Sequence, residues 1–449
     1  MPDRLFGTDG VRGVAGEYPL DRDTVTRLGA TIVRALDGSR APTLLVGRDT
    51  RESGPWIEEA LARGATAVGA TIVSAGVLPT PAIAELTRAE TFDAGVVISA
   101  SHNPYRDNGI KLFGPDGQKV NDRLEVEVER LLADEPPLRP VDGPAPIERR
   151  DFRAAYVEYV SSMLPDPGRL GSLRIAMDCA NGATFEVGPL VFRRLGLHVE
   201  VLSNEPNGRN INLTCGSTAP AMLADVVRER GCDVGVAFDG DGDRAILVDE
   251  RGQLVDGDAL LLVCAVHLKG AGCLPGDTVV ATVMSNIGLE VALRRHGITL
   301  VRCPVGDRFV SQEMKARGSA LGGEQSGHVI RADHGYTGDG IVTALSVLRA
   351  MADSGRTLAE LVAELEVYPQ VLVNVRVREK RELSRIDPVA DVLAHVRRQL
   401  ADQGRLVVRY SGTEPLLRVM IEGRDQTQIR AWADEIAAVV ESQLGAGSV

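Results

Sequence analysis

The sequence predicts an α/β protein, in which three similar α/β domains with helix-covered mixed sheets and a smaller C-terminal α+β domain are arranged around a central cleft. Two observations support this prediction. A pattern of strand, polar loop, amphipathic helix and second strand occurs three times, which is typical of β-α-β units. The chain of 449 residues is also too long for one hydrophobic core. We therefore expect four domains, at residues 1–153, 154–254, 255–367 and 368–449.

The three copies of the β-α-β unit cover residues 43–73, 174–202 and 278–301. In each copy the spacing of apolar residues changes from that of a strand to about 3.6 residues and back again. A proline-rich stretch at residues 134–146 can continue neither a helix nor a β-ladder, so it predicts a linker or long surface loop after the first copy. A second break, near residues 255–258, separates the second and third domains.

The last domain follows a third break at Tyr368–Pro369. Residues Val371–Val377 alternate between apolar and polar side chains, as expected of a half-buried strand. We expect two further strands, Leu406–Arg409 and Leu416–Glu422, and a final helix over Ile429–Leu444. These elements predict a smaller α+β domain.

The composition predicts a cytoplasmic protein that binds small phosphorylated molecules. A net charge of −12 would repel nucleic acid over most of the surface. The longest apolar run is too short to span a bilayer, and the first residues do not resemble a secretory signal. The six cysteines form no Cys-x-x-Cys pair, which is typical of reduced cytosolic thiols. We expect no nucleic-acid partner and no membrane partner.

A candidate nucleophile follows the predicted strand Gly95–Ile98, in the segment Ser99-Ala100-Ser101-His102-Asn103-Pro104. Taken alone, these residues are typical of an ordinary turn. A serine becomes a useful nucleophile when a base and a positive charge lie near it, and His102 and Lys111 lie within one predicted hairpin of Ser101. The absence of a Gly-x-Ser-x-Gly segment argues against an esterase.

A candidate metal site follows the predicted strand Val234–Phe238, in the segment Asp239-Gly240-Asp241-Gly242-Asp243-Arg244. Three carboxylates at alternate positions suit Mg²⁺ or Ca²⁺ and not zinc, and without a cation they would repel one another. An EF-hand is excluded because Arg244 occupies the position of its glycine and the flanks are strands. An aspartyl-phosphate phosphotransferase using Asp239 stays an alternative, although that pattern favours Thr or Val in place of Asp243.

Three further segments carry groups that suit a phosphorylated sugar, although each is also compatible with an ordinary turn. Gly322–His328 offers hydrogen-bonding side chains between glycines. Arg409–Pro415, followed by Arg418, offers hydroxyls, backbone N–H groups and guanidinium groups to a phosphate. Phe6–Gly13 offers Arg12 beside glycines. No segment has the glycine spacing of a nucleoside-triphosphate or dinucleotide site.

Taken in order, these segments resemble the α-D-phosphohexomutase superfamily along essentially the whole chain. In that superfamily each of four domains contributes one loop to a central cleft. The Phe6–Gly10 segment and Gln325 make the chain most similar to the bacterial members that act on glucosamine phosphates. The motifs are FGTDGVRG at 6–13, SASHNP at 99–104, DGDGDR at 239–244, GEQSGH at 323–328 and RYSGTEP at 409–415.

The resemblance also implies a role for individual residues. The implied catalytic residues are Ser101, His102, Lys111, Arg12 and Arg244. The implied ligands of one Mg²⁺ are Asp239, Asp241, Asp243 and an oxygen of phosphorylated Ser101. The implied substrate-binding residues are Glu324, Ser326, His328, Arg409, Ser411, Gly412, Thr413 and Arg418. The identity of the general acid or base stays open.

The function implied by the resemblance is the interconversion of glucosamine 6-phosphate and glucosamine 1-phosphate through phosphorylated Ser101 and a 1,6-bisphosphate intermediate, which would supply cell-wall precursor synthesis. Glucose 1,6-bisphosphate or glucosamine 1,6-bisphosphate would serve as activator, and a kinase or autophosphorylation would first phosphorylate Ser101. The resemblance favours a homodimer. Enclosing the bisphosphate intermediate would require domain closure, for which residues 367–369 are the candidate hinge. The alternatives are activity on glucose or mannose phosphates, an aspartyl-phosphate enzyme, and a binding protein without turnover.

Overall fold

The computed structural model describes residues 5–7, 9–36, 40–134, 143–164, 170–401, 403–411 and 415–445. The chain divides into two compact units. The first comprises residues 1–284 and 297–363, and the second comprises residues 285–296 and 364–449. Most of the predicted linker, residues 135–142, lies outside the described residues.

The first domain of the first unit is built on a mixed six-stranded sheet with strand order β1-β5-β4-β2-β3-β6. The central strands β2, β3 and β4 are parallel, and β5 runs antiparallel to β4 and β1. The elements are β1 (Val11–Val14), α1 (Arg22–Ala35), β2 (Thr43–Arg48), α2 (Gly54–Ala67), β3 (Thr71–Val77), α3 (Thr80–Ala89), β4 (Ala94–Ile98), β5 (Asp107–Phe113), α4 (Asp122–Asp134) and β6 (Ile147–Arg149).

Helices α1 and α2 of this domain pack backbone against backbone. A side chain at Gly64 would overlap the carbonyl oxygen of Thr26, and one at Gly29 would overlap that of Leu61. Each helix therefore carries a glycine where the other helix approaches it most closely. The apolar faces of both helices are buried in the core of the domain.

The second domain has a five-stranded sheet with strand order β11-β10-β9-β7-β8. Strands β7, β8 and β9 are parallel, whereas β9 and β10 form an antiparallel hairpin. All five residues of β9 are buried, which matches their continuous apolar character. The elements are α5 (Arg153–Ser161), β7 (Arg174–Asp178), α6 (Val187–Arg194), β8 (His198–Leu202), α7 (Ala221–Arg230), β9 (Val234–Phe238), β10 (Ala245–Asp249) and β11 (Leu254–Val255).

The third domain has a four-stranded sheet with strand order β13-β12-β14-β15. Strand β12 is parallel to β13 and β14, and β14 pairs with β15 in an antiparallel hairpin. The elements, with α9 belonging to the second unit, are α8 (Gly257–Gly270), β12 (Thr278–Thr282), α9 (Ile287–Arg295), β13 (Thr299–Cys303), α10 (Asp307–Arg317), β14 (Leu321–Gly323), β15 (Val329–Arg331), α11 (Gly340–Ser354) and α12 (Leu358–Val362).

The second unit combines α9 with an antiparallel three-stranded sheet of order β16-β18-β17 and two helices. Asn286 caps α9 and makes two hydrogen bonds, each 3.0 Å, with the backbone of Tyr368, so the predicted hinge residue is held to this helix. The division between the units falls at residue 363, a few residues before the predicted hinge. The other elements are β16 (Gln370–Arg376), α13 (Asp387–Leu400), β17 (Gly404–Tyr410), β18 (Leu416–Gly423) and α14 (Gln426–Leu444).

The structure confirms the predicted fold class, with three helix-covered mixed sheets and one smaller α+β domain. The strands and helix predicted for the last domain are found within one to three residues of their expected bounds. Within the described part of the chain, no helix is long and apolar enough to cross a membrane.

Candidate active site

Ser101 lies in the turn between β4 and β5, at the carboxyl end of the central parallel strands. Its side chain is fully buried, and its φ of 51° places it in the left-handed region that L residues seldom adopt. The Ser101 hydroxyl donates a hydrogen bond of 2.5 Å to Oδ2 of Asp239, and it lies 3.3 Å from Nδ1 of His102. The predicted nucleophile and the predicted metal loop are therefore in direct contact, although they are 138 residues apart.

Asp239, Asp241 and Asp243 lie in the hairpin turn between β9 and β10. All three are buried, and one carboxylate oxygen of each lies within 4.8 Å of the others. The glycines between them permit this close approach. A Cβ at Gly240 would lie 2.5 Å from the Ser101 carbonyl oxygen, and one at Gly242 would lie 2.6 Å from the methyl group of Thr184.

The aspartate cluster fits a hard divalent cation. Oδ1 of Asp241 and Oδ1 of Asp243 are buried without a hydrogen-bond partner among the described residues, which is unfavourable unless a cation binds them. Burial and the neighbouring carboxylates of Asp243 and Asp241 raise the pKa of Asp239 well above its usual value. An oxygen-coordinated ion of the Mg²⁺ type would reverse this effect.

Lys111, on β5, supplies a positive charge within the cluster. Its ammonium group lies 2.8 Å from Asp241 Oδ2, 3.4 Å from Asp243 Oδ2 and 3.2 Å from Asp9 Oδ2. Burial by itself lowers the pKa of Lys111, but Asp241 and Asp9 outweigh it and hold the pKa well above its usual value. Lys111 is therefore charged, and it balances part of the negative charge of the cluster.

His328, in the loop between β14 and β15, approaches the cluster from the third domain. Its Nδ1 lies 3.7 Å from Asp243 Oδ2, and its Nε2 lies 3.8 Å from Asp307 Oδ2. Burial lowers the pKa of His328, but Asp243 and Asp307 raise it more, so the net shift is upward. The pKa of His102 shifts in the opposite direction, because burial, Arg244 and Arg12 lower it to about 4.

A cleft of about 450 Å³, a volume within the usual range of small-molecule sites, is lined by Asp243, His102 and His328 of these groups. The predicted residues Arg12, His102, Arg244, Glu324 and His328 line it. Cationic and hydrogen-bonding groups thus face one space, as the binding of an anionic sugar phosphate requires.

The position of Ser326 differs from that of the neighbouring predicted substrate residues. Ser326 is exposed and is not among the residues that line the cleft, whereas Glu324 lines it and accepts a hydrogen bond of 3.1 Å from the Gly306 N–H. The substrate role of Ser326 stays a prediction.

The structure adds three charged residues that the sequence did not single out. Lys119 forms ion pairs with both Asp9 and Asp307, and Asp9 also pairs with Arg12. Asp9 could have been noticed because it belongs to the same glycine-rich motif as Arg12. Asp307 begins α10 directly after Gly306, but no sequence pattern connects it or Lys119 to the cleft.

The second unit contains the predicted phosphate-binding residues. Arg409 on β17 lies directly opposite Arg418 on β18, so two guanidinium groups are carried at the same level of the sheet. Ser411 is buried, and its carbonyl oxygen accepts a hydrogen bond of 2.6 Å from Lys380. Gly412 and Thr413 lie outside the described residues.

Comparison with known families agrees with this geometry. Four domain profiles of phosphoglucomutase/phosphomannomutase match in chain order: α/β/α domain I at residues 3–138, domain II at 154–252, domain III at 256–368 and the C-terminal domain at 372–439. The chain belongs to the phosphoglucomutase/phosphomannomutase family.

Individual relatives place the chain within that family. It is 49% identical over 449 residues to a phosphoglucosamine mutase of Solibacter usitatus, with 99% of this chain and 100% of the relative covered. It is 46% identical over 451 residues to a phosphoglucosamine mutase of Geotalea daltonii, with 99% of each chain covered. A crystal structure of a phosphoglucomutase/phosphomannomutase family protein from Burkholderia thailandensis has a similar fold, with a TM-score of 0.78, 24% identity, and 98% of this chain and 97% of that chain covered.

Proposed function

We infer that this protein is a phosphoglucosamine mutase, which interconverts glucosamine 6-phosphate and glucosamine 1-phosphate. Relatives with this activity match it at 45–49% identity along almost the entire chain. The finer steps proposed below are supported by the buried contact between Ser101 and Asp239, which places a hydroxyl nucleophile beside a candidate metal site.

In the proposed reaction, Ser101 carries the phosphoryl group that is transferred. O1 of glucosamine 6-phosphate attacks the phosphorus of phospho-Ser101, the bond from phosphorus to Ser101 Oγ breaks, and a 1,6-bisphosphate forms. The proton on O1 passes to a neighbouring base, for which His102 and His328 are candidates. The bisphosphate then turns around, the bond from phosphorus to O6 breaks as its 6-phosphoryl group passes to Ser101 Oγ, the protonated base returns the proton to O6, and glucosamine 1-phosphate leaves.

Asp239, Asp241 and Asp243 would hold one Mg²⁺, together with an oxygen of phospho-Ser101. Bound there, Mg²⁺ would neutralise negative charge on the transferred group, the main source of catalysis in phosphoryl transfer. Arg12, near the Ser101 turn, would contribute further positive charge: its guanidinium lies 3.3 Å from the Ala100 carbonyl oxygen.

Further predicted residues would bind the substrate. Lys111 and Arg244 would stabilise the transferred phosphoryl group, since Lys111 is buried and Arg244 partly buried beside the aspartate cluster. The sugar would be held by Glu324, Ser326 and His328. The phosphate that does not react would be held by Arg409, Ser411, Gly412, Thr413 and Arg418.

Several properties of the working enzyme follow from the proposed cycle. Loss of a bisphosphate before it turns around leaves Ser101 without its phosphoryl group, so glucose 1,6-bisphosphate or glucosamine 1,6-bisphosphate would reactivate the enzyme. A kinase or autophosphorylation would phosphorylate Ser101 initially.

We further propose a cytoplasmic location, a homodimer and small phosphosugars as the only substrates.

The proposal is tested with Ser101→Ala and, as a control, the exposed Ser384→Ala. Conversion of glucosamine 6-phosphate is followed by ³¹P NMR in the presence of Mg²⁺ and glucose 1,6-bisphosphate. We expect Ser101→Ala to abolish conversion and Ser384→Ala to preserve it. Intact-mass analysis should find one phosphoryl group on the protein, and peptide mapping should place it on the peptide that contains Ser101. Full activity of Ser101→Ala, or phosphate mapped to Asp239, would refute the serine mechanism.

A second candidate function is mutase activity on glucose or mannose phosphates, because the matching domain profiles carry those names. Side-by-side measurement of kcat/KM for glucosamine 6-phosphate, glucose 6-phosphate and mannose 6-phosphate separates the two functions. We expect the amino sugar to have the highest value.

A further inference from the structure

The carbonyl group of Ser101 is held by side chains from two different domains. Its oxygen accepts a hydrogen bond of 3.0 Å from the guanidinium of Arg51 and one of 2.9 Å from the side-chain amide of Asn212. Because Ser101 has a positive φ, its backbone needs such contacts to stay in place. The direction of the Ser101 hydroxyl depends on this backbone conformation.

The Arg51 contact comes from within the first domain. Arg51 is fully buried, is paired with Asp49 at 2.8 Å, and also donates to the carbonyl oxygens of Asn103 at 2.8 Å and Asp107 at 3.0 Å. This side chain thus fixes the turn between β4 and β5 along its length.

The amide nitrogen of Ser101 is fixed from the same side. It donates a hydrogen bond of 2.9 Å to the Ser99 hydroxyl, which in turn donates one of 2.5 Å to Asp49. Both peptide groups that flank the Cα of Ser101 are therefore held by the buried Asp49–Arg51 pair.

The Asn212 contact comes from the second domain. Asn212 lies between β8 and α7, and its amide also lies 3.2 Å from the Asn103 carbonyl oxygen. Its backbone has a φ of 56°, which asparagine tolerates better than most residues, and its N–H donates 2.9 Å to the carbonyl of Ala180. A Cβ at Gly240 would lie 2.8 Å from this amide, so Asn212 lies directly against the metal loop.

We propose that Asn212 is a positioning residue, which holds the Ser101 turn of the first domain in register with the aspartate loop of the second. It does not face the reacting atoms; it acts through the Ser101 carbonyl. The inference rests on the proposed role of Ser101 as phosphoryl carrier. Small displacements of a reacting group lower the rate steeply, so this hydrogen bond affects the chemical step more than substrate binding.

The test compares Asn212→Gly and Asn212→Asp with the control Thr214→Gly. Glycine accepts the positive φ at both positions, and Thr214, with a φ of 55°, is an exposed residue of the same loop whose hydroxyl bonds only to Leu213 among the contacts described. We expect kcat to fall about 10- to 100-fold for Asn212→Gly, with KM for glucosamine 6-phosphate changed less than about twofold. The kcat of Asn212→Asp should fall further, because its carboxylate would face two carbonyl oxygens.

Single-turnover transfer from phosphorylated enzyme to glucosamine 6-phosphate should slow by the same factor in the Asn212 variants, and Thr214→Gly should match the wild type. Wild-type kcat in folded Asn212→Asp would overturn the inference, and so would equal losses in Asn212→Gly and Thr214→Gly. Asn212→Asp retains the size of the side chain, so it provides the measurement if the glycine variant does not fold. Activity of Ser101→Ala would instead refute the proposed function, so the two failures are distinguishable.

Discussion

Replacement of Lys111 by methionine removes the internal positive charge of the aspartate cluster and keeps most of the apolar volume of the side chain. At an effective dielectric constant of about 20, each of the ammonium contacts at 2.8–3.4 Å is worth about 5–6 kcal/mol. Desolvation of the buried ammonium offsets most of this attraction. Removing one partner from a buried ion pair typically destabilises a protein by about 3–5 kcal/mol, and we expect a loss of that size.

Mg²⁺ should reduce the loss in the Lys111→Met variant, because the ion would supply the missing positive charge. An ion present at about a hundredfold excess over its dissociation constant stabilises the folded state by about 2.7 kcal/mol. We therefore expect the variant to be destabilised strongly in EDTA and to recover by about that amount in Mg²⁺.

The assay uses tryptophan fluorescence. The chain has two tryptophans, Trp56 on α2 and Trp432 on α14. In a Trp432→Phe background, urea unfolding reported by Trp56 follows the first unit alone. Lys269→Met, which removes a partly exposed ion pair with Asp277, is the control and should change the free energy of unfolding by less than about 1 kcal/mol. Equal small losses in both lysine variants, or no effect of Mg²⁺, would refute the reasoning.

Two further predictions concern the α1–α2 contact and the second unit. Gly64→Ala should destabilise the first unit by about 1–3 kcal/mol, measured by the same urea assay, because the new methyl group overlaps the Thr26 carbonyl oxygen. Arg418→Met should raise KM for glucosamine 6-phosphate about tenfold or more, because it removes one of two guanidinium groups placed opposite each other; initial-rate kinetics measures this.

Each of these variants has a matched control. A Cβ at Gly270 would meet no atom within 4 Å, so Gly270→Ala should not destabilise the first unit. Arg430 on α14 is exposed, so Arg430→Met should keep KM unchanged. Unaltered stability of Gly64→Ala, or an unaltered KM of Arg418→Met, would contradict the packing and phosphate arguments respectively.

The parts of the candidate site whose position could be predicted are local in sequence. The turn that carries Ser101 and the hairpin that carries the aspartates each follow an apolar strand. Polar residues at the end of such a strand predict a loop. Three carboxylates at alternate positions also predicted a cation site, and the structure brings one oxygen of each carboxylate within 4.8 Å of the others.

The parts that were not predicted depend on contacts between distant segments. Lys119 and Asp307 form an ion pair across 188 residues, and Asn212 reaches Ser101 across 111 residues. Neither contact has a periodic or compositional signature, because each is created by the packing of one domain on another. The exposure of Ser326 has the same origin, since a loop motif does not reveal which of its side chains faces the cleft.

The composition of the second unit has a consequence for the order of folding during synthesis. Residues 285–296 leave the ribosome well before residues 364–449, yet they belong to the same compact unit. At a synthesis rate of about 5–20 residues per second, the last residues of the second unit are made roughly 8 to 30 seconds after α9. A fragment beginning at residue 368 would therefore lack α9 and the two Asn286 hydrogen bonds that hold the backbone of Tyr368.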